Sequence, residues 1–144
     1  MYRPLLKHVP ELVGIIFVFA AMFKLLHPGQ ATVALESLDV PYELASTIVF
    51  GVITIEFYLG VLLIAQIDSK YALASSMGLM FVFTVYLWYL SMLARPPSCG
   101  CLGLTGVFNS NKQEALFGLF RNCAILWALK LSYDHNFRLS NMAE

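Results

Sequence analysis

Apolar residues fill four long stretches of this chain, and polar residues gather between them. The first stretch is "ELVGIIFVFAAMFKLLH"; the others run from Tyr42 to Gln66, Tyr71 to Ala94 and Glu114 to Tyr133. At roughly 1.5 Å per helical residue, each is about long enough to cross a hydrocarbon layer of roughly 30 Å. None alternates with a period of two, so none reads as a barrel strand. Backbone in lipid must then satisfy its own hydrogen bonds as helix. The pattern predicts an all-α fold, an integral membrane four-helix bundle with a cysteine-containing loop between its third and fourth helices. One domain over residues 1–144 is expected, with spans near 10–27, 42–66, 71–94 and 114–133.

Composition agrees with the pattern. Hydrophobic residues make up 59% of the 144 and charged residues 12%, where a soluble domain carries about 25% charged. Nine basic residues balance nine acidic ones, which argues against a nucleic-acid partner and against a polybasic anchor. The partner that composition does require is the lipid bilayer. Arg3 and Lys7 precede a 12-residue apolar run, Leu12 to Phe23, in the manner of a signal peptide, and Ala31 to Ala34 loosely resembles a cleavage site. Lys24 can snorkel, however, Leu25 and Leu26 prolong the span, and Ala31 lies well past it. A retained helix is expected.

The connections are short: His27 to Pro41, Ile67 to Lys70 and Arg95 to Gln113. Four spans put both termini on one side, with five basic residues (Arg3, Lys7, Lys70, Lys130 and Arg138). The other side has three (Lys24, Arg95 and Lys112), or four with Arg121. The bias favours cytoplasmic termini and an extracytoplasmic Arg95–Gln113 loop. That compartment suits disulfide chemistry.

The loop carries Cys99-Gly100-Cys101 behind Pro96-Pro97. The prolines end the third helix, and Gly100 frees the backbone between the thiols. A disulfide between residues two apart closes a small ring, and strain in such a ring raises its reduction potential, so it passes readily to another thiol pair. Arg95 and Lys112 are the nearby cations that could assist a thiolate. A purely structural bridge and a metal site fit the same spacing. Cys123, inside the fourth helix, reads first as a small buried hydrophobe, with a resolving or ligating role second. Three cysteines cannot store two disulfides, so the chain cannot run a two-disulfide relay alone.

Glu56 lies mid-span in the second long helix, where an unpaired charge costs at least about 2.5 kcal/mol; it should face the bundle interior, and Arg121 is its expected partner. Lys24 reads as a snorkelling anchor. His27, before Pro28-Gly29, reads as a helix-end or interface residue, although with Cys99 and Cys101 it would also make a soft-metal set.

The segments "FAAMFKLLHP", "VPYELA", "IEFYLGVLL", "CGCLG" and "FRNCAIL" resemble the methylamine-utilisation MauE-type proteins of the DoxX-like superfamily. The resemblance spans roughly Phe19 to Leu126. The paired cysteines are its sharpest mark, and Leu102 stands where family members commonly have phenylalanine. It implies a four-helix, redox-associated membrane protein that helps disulfide-rich extracytoplasmic proteins mature, beside a thioredoxin-like partner. Cys99 and Cys101 would inherit the redox role, with Lys24, His27, Glu56, Arg121 and Cys123 in support. The expected activity is therefore membrane thiol–disulfide exchange with a thioredoxin-like protein or an extracytoplasmic client. A non-catalytic assembly factor with a structural Cys99–Cys101 bridge, and a copper or zinc carrier, are the alternatives. No cofactor is specified by the sequence, and a quinone is left open.

Overall fold

A computed structural model describes residues 3–67, 69–93 and 111–141. They form five helices: α1 (Arg3–Leu26), α2 (Pro28–Glu36), α3 (Tyr42–Ala65), α4 (Ser69–Met92) and α5 (Asn111–Asn141). Four of them contain stretches long and apolar enough to cross a membrane: His8–Leu26, Tyr42–Ala65, Lys70–Met92 and Ala115–Asp134. These lie close to the spans read from sequence. Large apolar side chains on every one of them, among them Phe19, Phe50, Phe81, Trp88, Phe120 and Trp127, are exposed around the perimeter. In water such a belt would drive aggregation; in lipid it is the outer wall of the bundle.

Helix α1 packs most extensively on α3, and α4 on α5, while the seams between α1 and α5 and between α3 and α4 are thinner. The α1–α3 contact is close because it is built on glycine. A Cβ on Gly14 would stand 2.7 Å from the Gly60 carbonyl oxygen, and one on Gly60 would stand 2.8 Å from Val18 Cγ2. Without a hydrophobic drive between helices in lipid, this approach of backbones is what makes their packing favourable. The main core joins all four spans through Val13, Phe17, Leu63, Leu73 and Leu129. At the end of the bundle where α1 begins, Gln66 Nε2 donates to Glu11 Oε1 at 2.5 Å.

Helix α2 lies in the stretch that sequence reading treats as the loop from His27 to Pro41. His27 leaves helical geometry at φ −133°, ψ 59°, and Pro28 starts α2, where its missing N–H costs nothing. Thr32 donates to the Pro28 carbonyl at 3.0 Å and is buried. The remaining turns pack Ala31 and Leu35 against Ala21, Val49 and Ile53. Beyond them Leu38 reaches the cluster of Leu87, Leu90 and Leu93 on the α4 side. Helix α2 thus lies across the bundle where α1 stops.

That stop comes early. Lys24, two residues from the end of α1, meets Glu56, which is 14 residues into α3. The two helices run antiparallel, with Glu11 beside Gln66 and Gly14 beside Gly60, so α3 extends roughly 9 Å beyond the end of α1 by helix rise, and the two side chains reach along the axis to meet. Helix α2 packs over the shorter end.

Candidate functional site

The early end of α1 brings Lys24 inside. From sequence this residue is an interface anchor; in the structure its side chain is 11% exposed, and its Nζ donates to Glu56 Oε1 at 2.5 Å. The physical reason is the level of that end: where α1 stops there is protein and α2 around it, not the bilayer surface. The Nζ also sits 4.8 Å from the centroid of the Phe83 ring on α4, within cation–π range. Glu56 is buried as expected, but its direct partner is Lys24 rather than Arg121. Its second oxygen, Oε2, is buried with no hydrogen-bond partner among the described residues.

Arg121 does reach the same place. A cavity of about 200 Å³ is lined by residues of all five helices, including Lys24, Leu35, Glu56, Phe83, Arg121 and Asn122. The guanidinium Nε and Nη2 donate to Asn122 Oδ1 at 3.3 and 3.1 Å, and Asn122 is itself buried. Arg121 approaches Glu56 as a neighbouring charge and not as a bonded partner. The acidic and basic side chains around the cavity are Lys24, Glu56 and Arg121, two basic and one acidic. Apart from them and Asn122 its walls are mostly hydrocarbon and aromatic.

The remaining candidates separate from this site. His27 is exposed at the start of α2, and its side chain makes no capping hydrogen bond. Cys123 is exposed on α5, not buried as its type predicts. In a bundle solvated by lipid an outward position is as apolar as an inward one, so a small hydrophobe has no reason to prefer the core. No group of three His, Cys, Asp or Glu side chains able to hold a metal occurs among the described residues. Cys99 and Cys101 lie outside the described residues, as does the loop expected to carry them, and with them the redox pair and the metal set that includes His27.

Four apolar spans around a cavity that holds Lys24, Glu56 and Arg121 in otherwise apolar walls define an integral membrane protein of the helical-bundle class. Residues 3–133 match the model of the family described as methylamine utilisation protein MauE, and the chain belongs to that family. No curated protein and no solved structure matches the chain.

Proposed function

We propose that this protein is a membrane thiol–disulfide exchange component serving the maturation of an extracytoplasmic protein in methylamine utilisation. Membership of the MauE family carries the metabolic setting. The Cys99-Gly100-Cys101 sequence carries the chemistry. In the sequence it falls between Leu93, which packs with Leu38 beyond α2, and Asn111, where α5 begins. In the proposed reaction the two thiols become a disulfide as a partner's disulfide becomes two thiols, or the reverse. One S–S bond forms, one breaks, and two electrons and two protons pass between the proteins. The partner is a thioredoxin-like protein or a disulfide-containing client. The bundle sits in a bacterial inner membrane with its termini in the cytoplasm, by the bias of its basic residues. The shared "KLLHP" and "EFYLG" pieces further suggest the wider DoxX-like grouping.

Cys99 follows the stiff Pro96-Pro97 stalk and is assigned the attack on the partner, with Cys101 resolving the mixed disulfide. Cys101→Ser should therefore trap a covalent complex through Cys99, seen on a non-reducing gel and released by reductant. Trapping by Cys99→Ser instead reverses the roles. Trapping by neither, with a partner that still co-purifies, removes exchange and leaves an assembly factor.

A further inference from the structure

The cavity beside the end of α1 has room for a ligand. At about 200 Å³ it exceeds the roughly 150 Å³ that accepts a benzene ring in an apolar protein interior, so a polar head and its first methylenes fit. Ile48 on α3 and Val82 on α4 line it and are also exposed on the outer apolar wall. It therefore opens to lipid between those two helices, whose seam is thin. Inside, the donors outnumber the acceptors. Arg121 gives two of its five N–H groups to Asn122 and keeps the others, and no carboxylate lies within ion-pair distance of it among the described residues. One acceptor is left without a donor, the buried Oε2 of Glu56, whose side chain is 3% exposed.

Each group restricts the occupant. Two bases around one acid favour an acidic ligand over a neutral or basic one. Arg121 needs acidic oxygen at contact distance, in the planar form that a guanidinium grips best. Glu56 Oε2 needs a proton, which a fully ionised head such as a sulfonate lacks. The apolar walls and the mouth in lipid need a hydrocarbon chain behind the head. We propose that the Lys24–Glu56–Arg121 cavity binds the head of a long-chain carboxylic acid, with its chain leaving for the bilayer between α3 and α4. One carboxyl oxygen accepts from Arg121 and the other shares its proton with Glu56 Oε2. Two carboxyl groups in contact do not both ionise, so the pair holds one proton in common. The single negative charge then spreads over both groups, with Lys24 against one and Arg121 against the other. The ligand thus gives Arg121 an anionic contact and Oε2 a donor at once.

The site is built from helix residues and does not rest on the thiol–disulfide reading. The probe is tritiated palmitate with the full chain in dodecyl maltoside, measured by scintillation proximity. Saturable binding at one per chain is expected. Methyl palmitate and hexadecanol keep the chain and lack the acid, so each should displace the probe about 10-fold less well than unlabelled palmitate, or worse. Arg121→Gln should weaken binding about 10-fold or more, because a charge-assisted contact becomes a neutral one. Val52→Phe, which fills the cavity, should abolish it. Circular dichroism and gel filtration confirm that each variant is folded, and Ala20→Leu replaces Val52→Phe if the latter does not fold. The proposal is overturned by the absence of saturable binding or by equal binding to the filled variant. It is also overturned if methyl palmitate, hexadecanol or lysophosphatidate displaces the probe at a concentration equal to or below that of unlabelled palmitate.

Discussion

Removing the two members of the Lys24–Glu56 pair should not cost the same. The pair is buried on both sides, with side-chain exposures of 11% and 3%. Breaking such a pair from one side costs about 3–5 kcal/mol, because the charge left behind has lost its compensation. Arg121 makes the two cases unequal. Glu56→Leu leaves Lys24 and Arg121 as two cations in one apolar cavity. Lys24→Met leaves Glu56 facing Arg121, one charge of each sign. The second loss should be the smaller, because it keeps the attraction of Arg121 for Glu56 and removes the repulsion between Arg121 and Lys24. Replacing both residues removes the pair and keeps the volume, with Arg121 still held by Asn122, so the double variant should lose about 1 kcal/mol or less. The coupling energy is then at least about 3 kcal/mol, more than a hundredfold in the folding equilibrium. Titration from dodecyl maltoside into sodium dodecyl sulfate, followed by circular dichroism, measures all four proteins. Additivity of the single losses to within about 0.5 kcal/mol would refute the pairing. A Lys24→Met variant less stable than Glu56→Leu would refute the part given to Arg121.

Gly60→Ala should lower stability by about 1–3 kcal/mol in the same titration, since its new methyl would meet Val18 and the Gly14 carbonyl. Gly51→Ala, with nothing within 4 Å, should stay within about 0.5 kcal/mol or gain slightly. Cys123→Ala should be neutral to within about 0.5 kcal/mol, as for an outward position, and a loss of 2 kcal/mol or more would put that side chain inside a contact. Cys99 and Cys101 should react with an impermeant maleimide in intact cells after gentle reduction; reaction only after lysis would reverse the orientation.

The spans are legible because lipid allows so few solutions: about twenty apolar residues without alternation can only be helix. Glu56 is legible for the same reason, since a mid-span carboxylate has nowhere to go but inward. Lys24 is not. Its distance from the end of its own helix indicates the interface, and only the depth at which α1 stops shows otherwise. The signal was nonetheless present: Pro28 after a potential helix end, followed by "ATVALE", is a helix start as readily as a loop. Arg121 was legible as a member of the site but not as the direct partner, because separation along two different helices does not fix which cation arrives first. Cys123 was misread by carrying the habits of a water-soluble core into a bundle whose surroundings are as apolar as its interior.

The placement of both members of the ion pair within the first helical hairpin bears on how the chain is made. Lys24 and Glu56 are synthesised before α4 and α5, and Gly14 with Gly60 closes the same hairpin. The emerging protein can therefore neutralise its most costly carboxylate before the second hairpin exists, and enter the bilayer as a nearly self-sufficient unit. Arg121 comes last, on the final span, where its described hydrogen bonds go to the neighbouring Asn122. Docking of the two hairpins is the step that gives it shelter. Separate expression of residues 1–67 and 68–144 should accordingly yield an N-terminal piece that inserts by itself and a C-terminal piece retained in the membrane chiefly when the first is present.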